Sequence, residues 1–232
     1  MDFPRPLIPG RLLRRYKRFL ADVELADGRT ATVHCPNPGA MLGVDAPGSE
    51  IWLSPAASPG RKLPYTWELI RVGDGLVGIN TGHPNALAEE AIRGKRIAEL
   101  ATYERLRREV NYGTNSRIDL LCESTDGRSC YVEVKNVHLK RAEAAEFPDC
   151  VTARGTKHLA ELTAMVAAGH RAVMLYIVQR TDCRSFSIAA DIDPTYAAAL
   201  KLAMRSGVEA ICYSCRIDVR GISVDRPLPL DI

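Results

Sequence analysis

Asp119, Glu133 and Lys135 are charged residues whose spacing could do chemistry. They lie in two runs, Asn115-Ser116-Arg117-Ile118-Asp119-Leu120-Leu121 and Tyr131-Val132-Glu133-Val134-Lys135-Asn136, with a Thr125-Asp126-Gly127 turn between them. Read as antiparallel strands, the runs alternate. Ile118, Leu120 and Cys122 share one face with Cys130, Val132 and Val134, while Arg117, Asp119, Leu121 and Glu123 share the other with Tyr131, Glu133 and Lys135. The apolar triplets coincide only if Asp119 lies opposite Glu133, which needs an odd loop. Gly127 suits the left-handed end of a three-residue loop. A two-residue Asp126-Gly127 loop would slip the pairing by one and separate the triplets.

Two adjacent carboxylates repel, and a divalent cation between them converts that repulsion into ligation. Mg²⁺ or Mn²⁺ is the expected cofactor, with Asp119 and Glu133 as ligands. Lys135 would hold or deprotonate a water, or stabilise an oxyanion on phosphorus. The competing reading is a solvated face on which Lys135 and Glu133 form a surface pair worth under about 1 kcal/mol. Ahead of the hairpin, a predicted helix with Asn85 as a candidate cap carries Glu89 and Glu90. Helical phase slightly favours Glu90 over Glu89 as a third acid without deciding between them, and two exposed glutamates are the competing reading. Arg154, Gly155, Lys157 and His158 stand at the entrance to a later helix, where Arg154 and Lys157 could bind phosphate. For His158 a plain hydrogen bond is favoured over ligation or proton shuttling.

The elements that must position these residues fall into two parts. Over residues 1–82 the pattern is all-β. A long run covers Arg11 to Leu25, an Asp27-Gly28 turn follows, and strands are expected over 30–34, 50–53, 66–72 and 76–80. Five short strands suit a closed barrel of the oligonucleotide-binding (OB) kind; a β-sandwich fragment is the alternative. Arg14, Arg15, Lys17 and Arg18 crowd the start, and with Tyr16, Phe19 and Trp67 they could form a phosphate-tracking and base-stacking groove. Residues 83–232 alternate strands with helices over 84–93, 156–168 and from Asp193-Pro194, with a loop-rich connection over 138–156, as for helices on a mixed sheet. The whole reads as a two-domain α+β or α/β chain.

A net charge of +3 is too small to require a polyanionic partner, although its clustering permits one. No stretch approaches the roughly 20 apolar residues of a membrane helix. Seven scattered cysteines read as reduced core residues of a cytoplasmic protein. Cys212 and Cys215 form a lone CxxC, a weak zinc signal. His34-Cys35 is a poor nucleophile–base pair, because adjacent strand residues point to opposite faces.

Together these residues resemble the sugar fermentation stimulation protein A family. The resemblance is carried by Arg15-Tyr16-Lys17-Arg18-Phe19-Leu20-Ala21-Asp22-Val23, His34-Cys35-Pro36-Asn37-Pro38-Gly39-Ala40-Met41 and Thr66-Trp67-Glu68-Leu69. It continues in Ser116-Arg117-Ile118-Asp119, the Tyr131 to Val137 run, Phe147-Pro148-Asp149, Thr152, Arg154-Gly155 and Lys157-His158-Leu159. It implies an N-terminal OB-like barrel joined to a domain like the PD-(D/E)xK nucleases. Asp119, Glu133 and Lys135 then match the nuclease motif and Glu90 the helical acid before it. Ile118 stands in place of the motif's proline, and Pro38 where a threonine is expected. The resemblance also implies DNA as partner, a homodimer as an allowed state, and a regulatory part in sugar, especially maltose, metabolism. An active Mg²⁺- or Mn²⁺-dependent nuclease is the alternative function. A metabolite- or RNA-binding regulator using the barrel alone is the third.

Overall fold

The computed structural model describes residues 1–56, 60–113 and 116–232. Asn115, the expected start of the central hairpin, lies outside them. The N-terminal strands are β1 (Ile8–Tyr16), β2 (Leu20–Leu25), β3 (Thr30–His34), β4 (Glu50–Pro55), β5 (Tyr65–Val72) and β6 (Gly75–Gly78). β1 pairs with both β2 and β4, and a parallel bridge from His34 to Thr66 closes β3 onto β5. The result is a closed five-stranded OB barrel, with β6 added as a hairpin on β5. Its interior is apolar: Leu12, Val23, Val33, Ile51, Leu53 and Trp67 are all fully buried.

The expected single strand from Arg11 to Leu25 is instead a hairpin. Lys17 and Arg18 take φ of 49° and 61°, the left-handed pair that a tight strand turn demands. Neither is glycine or asparagine, so no composition cue marked the break.

The C-terminal part is built on a sheet of order β15-β14-β12-β9-β8-β7. Its strands are β7 (Arg105–Tyr112), β8 (Ser116–Glu123), β9 (Ser129–Val137), β12 (Arg171–Val178), β14 (Glu209–Asp218) and β15 (Gly221–Pro227). β12 runs parallel to β9 and β14, and its continuous apolar run is buried on both faces. Helix α1 (Pro84–Arg93) covers one face through Leu87, Ala88, Ala91 and Ile92. Helices α2 (Ala153–Ala167) and α3 (Pro194–Arg205) cover the other. α1 begins at the expected proline, but His83 occupies the cap position expected of Asn85. α2 starts three residues before the expected Thr156, so Arg154 lies within its first turn.

The connection read as loop-rich carries β10 (Leu139–Arg141) and β11 (Ala144–Phe147). With β13 (Ser185–Ile188) and β16 (Leu230–Asp231) they form a second small sheet. Its strands are two to four residues long, too short to register a period of two.

The two parts are sewn together. β6 adds its backbone to the segment after β12: Gly78 N–H donates to the Gln179 carbonyl at 2.9 Å, and Val77 bridges Arg180. Leu69 of β5 also lies in the core under α1. Among the described residues no helix is long and apolar enough to cross a membrane.

Candidate functional site

The β8–β9 hairpin carries the site. Leu120 pairs with Val132, Leu121 with Tyr131 and Cys122 with Cys130, the register in which the next pair outward is Asp119 with Glu133. The loop has the expected odd length: Ser124 N–H donates to the Arg128 carbonyl, and Gly127 takes φ of 87°. Leu120, Cys122, Cys130, Val132 and Val134 enter the core under α1 as expected. Ile118 does not. It packs with Leu121 in the core under α2 and α3. The alternation breaks at Asp119, where the neighbouring strand is distorted. Glu109 sits between the residues paired with Leu120 and Ile118, and its φ is 53°. A non-glycine residue in that conformation stores strain of the kind found around functional sites.

Asp119 is held at both oxygens. Oδ1 accepts from Asn85 Nδ2 and Oδ2 from the Val134 N–H, each at 2.8 Å. Glu133 is 2% exposed. Its Oε1 accepts from Lys135 Nζ at 2.7 Å and bonds His158 Nδ1. Arg154 Nε lies 3.3 Å from His158 Nε2 and can only donate. His158 therefore accepts at Nε2 and carries the proton facing Glu133 on Nδ1. The favoured plain-hydrogen-bond reading of His158 describes this geometry, with Glu133 as the partner.

Burial, then the neighbouring Glu133, pushes Asp119 above the ordinary carboxylate range. Burial would raise Glu133 too, but His158 and Lys135 outweigh it and hold that carboxyl below its ordinary value. Beside them Tyr112 is buried, and burial with the nearby Glu133, Glu161 and Asp119 pushes its phenol up, so it keeps its proton.

Three buried polar atoms at this place have no hydrogen-bond partner among the described residues: Glu133 Oε2, Tyr112 Oη and Glu161 Oε2. Buried acceptors left unpaired are uncommon and call for a missing ion or water. Among the described residues no three His, Cys, Asp or Glu side chains converge on one point. A hard cation nevertheless needs only one or two carboxylates if it keeps its waters. The all-oxygen pair of Asp119 and Glu133, with Glu133 Oε2 unpaired among the described residues, fits that requirement. Asp119 borders a groove of about 800 Å³, lined also by Arg117, Arg154, Lys157 and His158.

Glu90 is not brought to this group. Its carboxylate pairs with the Met1 ammonium at 2.6 Å and faces Arg96 at 3.7 Å, in a different groove. α1 reaches the site through Asn85 instead, a residue the sequence marked only as a cap. Glu89 pairs with Arg93 and Arg108.

The expected DNA-contacting residues divide. Arg154 and Lys157 line the groove, and Lys157 also lies 3.5 Å from Glu161. Lys17 and Arg18 are exposed at the tip of the β1–β2 turn. Arg14 is tied to Asp22 at 2.8 Å. Arg15 turns inward and caps the carbonyls of Arg18, Asn37 and Gly39, a structural use of a side chain expected to meet phosphate. Of the three aromatics, Trp67 is core and Tyr16 bonds Asp22, while Phe19 remains 49% exposed. Cys212 and Cys215 fall in opposite cores, since three residues along a strand reverse the face, so they cannot share a zinc ion.

Residues 82–221 match the family described as Sugar fermentation stimulation protein RE domain, and residues 13–79 match the SfsA N-terminal OB domain. A Sugar fermentation stimulation protein homolog of Rhodospirillum centenum is 62% identical over 231 residues, covering 99% of each chain. Another from Paramagnetospirillum magneticum is 58% identical, covering 100% of this chain and 98% of its own. A solved structure of Pyrococcus furiosus SfsA in complex with Ca²⁺ is 28% identical, covers 100% of both chains and superimposes with a TM-score of 0.89.

Proposed function

The chain belongs to the sugar fermentation stimulation protein family, and from that premise we propose that it binds DNA and carries a nuclease-type site for a divalent cation. The observation that carries this reading is the Asp119–Glu133 pair on one hairpin, with Glu133 Oε2 buried and unpaired among the described residues and Lys135 beside it. The Ca²⁺ complex of the Pyrococcus furiosus relative supports a cation in this chain too.

Asp119 and Glu133 would hold Mg²⁺ or Mn²⁺. When bound, such an ion polarises a phosphodiester and lowers the pKa of a water. The chain's own groups do the rest. Asn85 and the Val134 N–H fix the Asp119 carboxylate, and His158 fixes Glu133. Lys135 places its ammonium beside Glu133, where it can hold the attacking water or meet charge developing on phosphorus. Arg154 and Lys157 on the groove wall would take the flanking phosphates. A regulatory part in sugar metabolism would rest on this DNA binding.

The test compares wild type with Asp119→Ala and Lys135→Ala on single-stranded, duplex and branched DNA with Mn²⁺. DNA affinity should fall steeply with salt in all three proteins. Mn²⁺ binding should be lost in Asp119→Ala and kept in Lys135→Ala, with cleavage abolished in both. Equal cleavage by all three proteins overturns the catalytic assignment, and a flat salt dependence overturns the phosphate-directed binding.

A further inference from the structure

We propose that the DNA strand this protein engages is single-stranded, and that it runs from the β1–β2 turn of the barrel across Val151 to the Asp119–Glu133 groove. The proposal rests on the reading that the chain binds DNA and names the form of DNA it takes.

The track is continuous in the hydrogen bonds. At its barrel end, Lys17 and Arg18 form an exposed cationic tip followed at once by Phe19, 49% exposed. The Arg15 guanidinium ties the Arg18 carbonyl to those of Asn37 and Gly39. The loop those residues belong to then meets the C-terminal part, where the Met41 N–H donates to Asp149 Oδ2 at 3.1 Å. Val151, 73% exposed, stands two residues beyond Asp149. Thr152 caps α2 immediately afterwards, and the first turns of that helix carry Arg154 and Lys157 onto the groove wall. Cations therefore stand at both ends, with an exposed aromatic and an exposed aliphatic side chain between them.

Two features favour a single strand over a duplex. A duplex turns its phosphates outward and stacks its bases inside, so it offers Phe19 and Val151 no open base face. A single strand presents base faces that stack on an aromatic side chain, while its phosphates follow the cations. The site is also recessed. His158 lines the groove and is 5% exposed, and its partner Glu133 lies deeper still at 2%, a depth that one flexible backbone reaches more readily than a double helix.

Fluorescence anisotropy in EDTA with the full chain tests this, using labelled oligo(dT), a duplex of equal length and oligo(rU). Oligo(dT) should bind at least tenfold more tightly than the duplex. Phe19→Ala should weaken oligo(dT) binding roughly tenfold, the loss of about one stacked base, and leave duplex binding unchanged. Lys17→Ala with Arg18→Ala should weaken both DNAs and flatten the salt dependence. Phe19 is a surface residue, and a thermal melt confirms that its variant is folded. Equal or tighter duplex binding, or an unchanged oligo(dT) affinity in Phe19→Ala, overturns the single-strand inference while DNA binding stands. Tighter binding of oligo(rU) overturns the choice of DNA over RNA. No binding to any of the three at low salt overturns both this inference and the reading beneath it.

Discussion

Asn85 shows how a residue off the motif can govern a residue on it. Its amide fixes one oxygen of Asp119 while the Val134 N–H fixes the other. Groups that orient a metal-binding carboxylate contribute to affinity without touching the ion; losing one typically costs 10–100-fold. Asn85→Ala should lower Mn²⁺ affinity by roughly tenfold in calorimetry, with the thermal midpoint of the metal-free protein little changed. Unchanged affinity would mean that the backbone bond alone holds Asp119. The register that sets Asp119 near Glu133 was legible because Leu120, Cys122, Cys130, Val132 and Val134 alternate, although the alternation fails at Ile118. Asn85 was not, because its role depends on where a helix start meets a strand 34 residues later. Glu90 misled for the same reason: the ammonium that claims it comes from Met1, at the far end of the barrel segment.

Among elements, the start of α1 is the joint through which the barrel reaches the site. Glu68 on β5 is 5% exposed and bonds Ser54 Oγ, Asn80 Nδ2 and His83 Nε2. His83 occupies the N-cap position of α1 without a side-chain cap bond, and Asn85 stands two residues on. Burial pushes Glu68 up, but the bonds from His83, Ser54 and Asn80 outweigh it and hold the folded carboxyl below its ordinary value. The unfolded chain therefore binds the proton more tightly than the folded one. The stabilisation is full above the ordinary carboxylate range and drains away as pH falls through the lowered folded value. Glu68→Gln should cost about 1–3 kcal/mol at neutral pH. Its thermal midpoint should then converge on that of wild type in acid, as followed by melts across the acid range. A constant gap would show that packing, not charge, accounts for the loss. The helices themselves were readable from Pro84 and from the Asp193-Pro194 start. The β1–β2 hairpin was not, since a turn made by Lys17 and Arg18 borrows a conformation their side chains do not advertise.

In the whole molecule, Gln179 is the buried centre of the contact between the two parts. It is fully buried, and its amide donates to Asn136 Oδ1 at 2.7 Å and to the Asn80 carbonyl at 3.1 Å. Asn136 lies next to Lys135 on β9, so one side chain touches both the barrel's exit and the strand bearing the site. Gln179→Leu would leave the half-buried Asn136 Oδ1 without this donor and remove one of two donors to the Asn80 carbonyl, and should cost roughly 1–3 kcal/mol in urea unfolding. The transition should stay single, because Leu69 of the barrel is in the same core as α1. Two separated transitions would mean that the parts fold independently. Composition and periodicity distinguished a barrel from an α/β sheet, but a seam of backbone bonds between them has no residue signature.

That seam also sets a schedule for the growing chain. Leu76 donates its N–H to Thr181 Oγ1, 105 residues further on, and Gly78 waits for the Gln179 carbonyl. At ordinary rates of synthesis the ribosome needs on the order of 5–20 s to deliver that partner. Through that interval β6 is an open strand edge on a barrel already long enough to close. A slow codon cluster placed between residues 80 and 179 would lengthen the exposure without changing a single amino acid.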